Sequence, residues 1–225
     1  MCRSLFFLLS GVLPSVQLDA QETAASQSST IYGFEQEAPG SAPIGFGFAN
    51  SEGGRPGSWI VKAVPDAPEG TQVLVQADSD RSGDRFLMAI TPHPPLRDGA
   101  IAVRCKAIAG ERDQACGVVF RYQDASNYYI ARANALEDNV RLYHVRDGKR
   151  SQIGSWEGEV PRNTWYQLAI EITGDYIRVF FDAKPVLSQR DKTFSQPGAV
   201  GLWVKADSVT AFDEVTVTAL ERQGR

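Results

Sequence analysis

Past residue 57 the chain alternates apolar and polar positions in runs of five to nine residues, each run ended by turn-forming residues. Alternation of period two sends one side chain inward and the next outward, the pattern of strands with one buried face. No long stretch repeats at helical period, and no internal repeat is present. The spacing predicts an all-β domain, a sandwich or barrel of antiparallel strands. Residues 38–57 carry six Gly and three Pro and are expected to be mostly loop.

Some pairings can be read to the residue. In LAIEITGDYIRVFF, Gly174-Asp175 has the chemistry of a two-residue hairpin turn. Pairing outward sets Ile172 against Ile177, Ile170 against Val179 and Leu168 against Phe181 on one face, and Glu171 against Arg178 on the other. A second hairpin is expected from Ile101 to Tyr122, with Cys105 opposite Cys116, Val103 opposite Val118 and Ile101 opposite Phe120. That register puts both cysteines on the core face and favours a disulfide between them over two buried thiols. A bridge closing so short a loop contributes about 3 kcal/mol in the chain-entropy model. Turns at 124–127 and 136–138 continue the meander, pairing Val118 and Phe120 with Ala133 and Ala131, and these alanines with Val140 and Leu142.

The same parity collects Arg104, Val119, Arg121, Ile130, Arg132, Asn134, Arg141 and Tyr143 on the opposite face. In the late strand Val200, Leu202 and Val204 suit the core, so Trp203 and Lys205 project outward. Arginine forks pair with hydroxyls or carboxylates, and aromatic rings offer flat apolar area. Arg121, Arg132, Asn134, Arg141, Tyr143, Trp203 and Lys205 therefore form the expected ligand-binding set. The competing reading is a solvated outer face on which nothing binds.

Composition narrows this picture. The 225 residues are 43% apolar and 22% charged with a net charge of −4, which gives no global argument for a nucleic-acid partner. Arg3, followed by the apolar Leu5-Phe6-Phe7-Leu8-Leu9 and small residues up to Ala25, reads as a signal peptide and lead-in over residues 1–25. This stretch is too short to span a bilayer, and no later segment is apolar enough. Secretion or periplasmic export follows as the expectation, and it suits a disulfide.

Catalytic signals are sparse. Glycoside cleavage uses two carboxyl groups flanking the bond, and no strand presents acids at i and i+2 on one face. Asp207, two residues beyond Lys205, is the one acid nominated. His144 reads as a satisfied, half-buried histidine, and the two histidines are too few for a zinc site. Cofactors are not expected, except for a structural calcium ion between Glu35 and Asp213 if the first and last strands are neighbours.

The run GVVFRYQDASNYYIARANALEDNVRLYHVRDGKR, with TWYQLAIEITGDYIRVFFDAKPV and GAVGLWVKADSVTAFDEVTV, resembles concanavalin A-like lectin/glucanase domains. Among these the chain is most similar to the keto-disaccharide hydrolase-type, laminarinase-like domains of secreted bacterial proteins. The likeness covers residues 31–219 and implies a two-sheet antiparallel jelly-roll sandwich and an association with polysaccharides. The strand motif of two Glu flanking an Asp, found in laminarinase-type glucanases, is missing here. The leading expectation is a secreted carbohydrate-binding or cell-envelope interaction module for an acidic or heavily hydroxylated glycan. The alternative is a glycoside hydrolase acting on a keto-disaccharide or polysaccharide, and a third reading docks another protein on the same face.

Overall fold

A computed structural model describes residues 26–51, 53–83 and 85–221, so the proposed signal peptide lies outside the described residues. The described residues contain no helix and form two antiparallel sheets packed face to face. One sheet runs β13 (Lys184–Arg190), β12 (Tyr176–Phe181), β11 (Tyr166–Thr173), β6 (Gly99–Ala109), β15 (Val209–Glu221), β4 (Gln72–Gln76) and β3 (Trp59–Ala63). β1 (Ser26–Tyr32) also pairs with β15. The other sheet runs β10 (Lys149–Glu157), β9 (Asn139–Arg146), β8 (Asn127–Asn134), β7 (Ala115–Asp124), β14 (Ala199–Lys205), β5 (Phe86–Ile90) and β2 (Gly47–Asn50). This is the jelly-roll sandwich that the alternation and the resemblance imply.

The β11–β12 hairpin has the expected register, Ile172 with Ile177, Ile170 with Val179 and Leu168 with Phe181, and Glu171 pairs with Arg178 on the outer face. Its turn needs a backbone in the left-handed region, which Gly174 supplies at φ 62°. Alternation along β6 buries Ile101, Val103, Cys105 and Ala107, and these meet Val118, Phe120, Leu202 and Val204 of the facing sheet in one continuous core. Apolar burial on this scale is the main term holding the sheets together.

The expected hairpin of β6 with β7 does not form. β6 pairs with β11 and β15 in one sheet, while β7 pairs with β8 and β14 in the other. Two consecutive strands with matching apolar parity can pair side by side or face each other across a core, and their alternation is the same in both cases. Cys105 and Cys116 are nonetheless joined, with Cα atoms 6.2 Å apart, so the disulfide staples the two sheets through the core. Between β7 and β8 the register is two residues from the expected one, with Val118 opposite Ala131 and Cys116 opposite Ala133. The alanines meet Val140 and Leu142 as expected.

Candidate functional site

The outward-facing residues of the seven-stranded sheet line up in rows. Ser155, Arg141, Arg132, Gly117, Trp203, Met88 and Ala49 are successive cross-strand neighbours from β10 to β2. A flanking row brings together Glu157, Asn139, Asn134 and Ala115, with Lys205 and Phe86 paired on β14 and β5. This face is concave. β10 and β5 are five strand spacings apart, about 24 Å on a flat sheet. The guanidinium carbon of Arg150 on β10 nevertheless lies 4.8 Å from the ring centre of Phe86 on β5, a contact the two side chains could not make without the sheet curling between them.

Aromatic and aliphatic side chains fill the floor of the concavity. Trp203 belongs to one buried cluster with Phe86, Met88, Val119, Tyr128, Ile130, Tyr143 and Val145, and its ring centre is 5.2 Å from that of Phe86. The expectation of an exposed tryptophan is therefore corrected: Trp203 is 0% exposed. Gly117 makes this possible, because a Cβ there would come within 2.7 Å of Ile130 Cδ1 and 3.0 Å of Trp203 Cε3. The indole lies over a position that no other residue could occupy without displacing it.

A polar cluster stands beside the aromatic floor, built at the adjoining ends of β7, β8, β9 and β14. Glu137 is its hub. Its Oε2 accepts from Arg132 Nη2 at 2.7 Å and from Asn139 Nδ2 at 3.3 Å, and pairs with Arg141 Nη1 at 3.2 Å. Arg132 also donates to Asn139, and its Nη2 lies 3.4 Å from the Tyr143 hydroxyl. Asn134 donates to Asp113 Oδ1 at 2.7 Å and accepts the Leu136 and Glu137 amides at 2.8 and 3.2 Å, fixing the turn that carries Glu137. Lys205 Nζ sits 3.2 Å from Asp113 Oδ2.

Electrostatics separate the two carboxyl groups. Burial pushes the Asp113 pKa up, against the pull of Lys205 and Arg132. Burial acts the same way on Glu137, but Arg132, Asn139 and Arg141 outweigh it and hold its pKa below the ordinary value. Glu137 Oε1 has no partner among the described residues, and the side chain is 38% exposed. The exposed Ser155 and Glu157 hydrogen bond to each other at 2.6 Å beside Arg141.

Of the seven expected binding residues, the structure brings Arg132, Asn134, Arg141, Tyr143 and Lys205 into this cluster, with Trp203 beneath its edge. Arg121 is elsewhere. The β7–β8 register shifts between Phe120 and Asp124, and Arg121 has φ 47°. A bulge of this kind re-aims a side chain. The Arg121 guanidinium donates to the backbone oxygens of Arg97, Phe194 and Gly174, and lies 3.6 Å from Asp98 at one end of the sandwich. Arg104 belongs to the other sheet, beside Glu214 at 3.4 Å. Sequence reading missed Asp113, Glu137 and Asn139, which sit at strand ends and turns where parity carries no signal. It also missed Arg150 and Phe86.

Asp207, nominated for catalysis, is a loop anchor. Its carboxylate accepts the amides of Glu111, Arg112 and Asp113 at 2.8–3.2 Å. Burial opposes ionisation there, but these amides hold its pKa below the ordinary value. Glu35 and Asp213, the calcium candidates, come to one loop. Glu35 accepts the Thr71 and Gln72 amides at 3.0 and 2.7 Å, and Asp213 the Glu69 amide at 3.2 Å. Among the described residues no group of three or more His, Cys, Asp or Glu side chains is placed to hold a metal ion. His144 is half-buried and satisfied as expected, with Nδ1 3.4 Å from Asp191 and 3.2 Å from the Thr193 hydroxyl.

No protein-family model matches the chain. A levanase of Bacillus subtilis (strain 168) is 32% identical over 94 residues, which are 42% of this chain and 14% of that protein. The carbohydrate binding module CBM66 from Bacillus subtilis superposes with a TM-score of 0.59 at 24% identity, over 76% of this chain and 95% of that one. A β-glucanase of Bacillus licheniformis gives 0.55 at 12% identity, over 89% and 100%. With its two antiparallel sheets and curled seven-stranded face, the chain has the fold of the concanavalin A-like lectins and glucanases.

Proposed function

We propose that the chain is a carbohydrate-binding module that holds a neutral, hydroxyl-rich glycan on its concave face, with a fructan as the first choice. The observation that carries this reading is Glu137: three donors fix one of its oxygens, while the other has no partner among the described residues. Beside it, Arg141 is 30% exposed with donors to spare. A fixed acceptor next to a fork of donors suits neighbouring sugar hydroxyls, and little conformational freedom is lost on binding.

Charge favours a neutral ligand over an acidic one. Arg132 and Arg141 are both paired to Glu137, and Lys205 to Asp113, so each cation of the polar cluster already has a carboxylate beside it. The fructan choice draws on the partial likeness to the levanase, and the module reading on the likeness to CBM66. Export accords with the inter-sheet disulfide. No helix among the described residues is long and apolar enough to cross a membrane.

Titration calorimetry with levan, inulin, a mixed-linkage β-glucan and polygalacturonate tests the reading. Binding to a neutral polymer that weakens tenfold or more in Arg141→Ala supports it. Indifference to all four removes it, and a preference for polygalacturonate reverses the charge argument.

A second reading, glycoside hydrolysis, draws on the opposed pKa shifts of Asp113 and Glu137, an arrangement that can separate an acid from a base. Against it, Asp113 is 2% exposed and both its oxygens are engaged, by Asn134 and Lys205. Release of reducing sugar that disappears in both Asp113→Asn and Glu137→Gln would establish hydrolysis.

A further inference from the structure

The concave face has a slot with an occupant of its own. Arg150, on β10 opposite Val145, extends over the sheet so that its guanidinium carbon lies 4.7 Å from the Tyr143 ring centre and 4.8 Å from that of Phe86. These rings come from opposite sides of the concavity, and a planar group rests against both. Among the described residues no carboxylate pairs with Arg150, which sets it apart from Arg132 and Arg141 on the same face. Arg150 is half-buried, and two ring contacts without an ion pair hold it in place.

A second observation marks the same place. Trp203, in ring contact with Phe86, has an indole Nε1–H that is buried without a hydrogen-bond partner. Buried donors are almost always satisfied, and an unmet one costs free energy until an acceptor arrives. A group entering between Phe86 and Tyr143 with hydroxyl oxygens would bring acceptors to that neighbourhood, which a guanidinium, having only donors, does not.

We propose that Arg150 is an internal plug, standing in for a sugar ring between Phe86 and Tyr143, and that the glycan binds by displacing it. The inference rests on the carbohydrate-binding reading of this face and adds a subsite and its regulation. A sugar ring stacks flat apolar faces on the two rings and directs its hydroxyls to Glu137 and Arg141 on one side and to the Trp203 indole on the other. Arg150 swings into water, where its charge is solvated. Because the plugged form does not bind, the observed affinity is the intrinsic affinity reduced by the open fraction.

Two measurements on Arg150→Ala test this. In calorimetry with levan, removal of the plug is expected to lower Kd roughly tenfold, and adding Phe86→Ala is expected to abolish the gain. In proton–nitrogen spectra without ligand, the Trp203 indole signal, identified by its loss in Trp203→Phe, is expected to exchange with water faster in Arg150→Ala than in the wild type. If the wild type binds levan and Arg150→Ala binds equally or less well, the plug is overturned while the binding face stands. If neither binds levan, the fructan choice fails and the ligand-free measurement decides: faster exchange supports the plug, and unchanged exchange overturns it.

Discussion

Asp213 offers a quantitative check on the electrostatics of the first sheet. It has no exposed surface, and burial raises its carboxyl pKa from 3.8 to about 6. The Glu214 and Glu69 amides pull the other way, and the Glu214 and Glu35 carboxylates add to the rise. An acid whose pKa is raised by folding is protonated more readily in the native state than in the unfolded one. Its contribution to stability is therefore complete below the unfolded value near 4 and is lost as pH climbs through 6. A two-unit shift corresponds to about 3 kcal/mol. In Asp213→Asn the side chain stays neutral at every pH, so this loss should be absent. Urea unfolding of both proteins at pH 4, 5, 6 and 7 isolates the effect, because the carboxylates remote from Asp213 are the same in each. The difference in stability should shift by about 2–3 kcal/mol in favour of the variant between pH 4 and 7. Parallel curves would show that Asp213 titrates normally and that its burial is relieved in solution. Calcium supplies a further arm: if Glu35 and Asp213 hold the ion, millimolar calcium at pH 7 stabilises the wild type and leaves Asp213→Asn unchanged.

Two further changes test the packing. Trp203→Ala should destabilise the fold by about 3–5 kcal/mol in urea, the cost of emptying a buried aromatic site, whereas an exposed platform tryptophan would be nearly neutral. Cys105→Ala with Cys116→Ala should lower stability by about 2–4 kcal/mol without changing the far-ultraviolet spectrum, because the bridge constrains the unfolded chain more than it shapes the sheets. An equal melting temperature for oxidised and reduced protein would refute that account.

Parity explains both what the sequence reveals and what it hides. The β11–β12 hairpin is legible because a Gly-Asp turn fixes the register and three apolar pairs with one ion pair confirm it. β6 and β7 were misassigned to one sheet because Cys105, Val103 and Ile101 have the same alternation whether their partners lie beside them or across the core. Arg121 was lost to a bulge, in which four steps of β7 from Phe120 to Asp124 face two of β8 and Arg121 takes a φ of 47°, a change of direction with no mark in residue type. Trp203 was placed on the right face but not seen to be buried, since alternation gives the side of a sheet and says nothing of its curvature. That curvature appears only through contacts between distant strands such as Arg150 and Phe86.

The way charge is used on this face bears on binding against hydrolysis. A hydrolase needs an acid free to give its proton and a second carboxyl group with an approach to the sugar. Here Asp113 is tied to Asn134 and Lys205, and Glu137 holds Arg132, Asn139 and Arg141 through a single oxygen. Asp113 is spent on holding Asn134 and Lys205 through both oxygens, while Glu137 fixes its neighbours with one oxygen and keeps the other open as an acceptor. Fixed donors and acceptors reduce the ordering cost of recognition. On the binding reading, a face arranged in this way discriminates by shape and hydroxyl pattern.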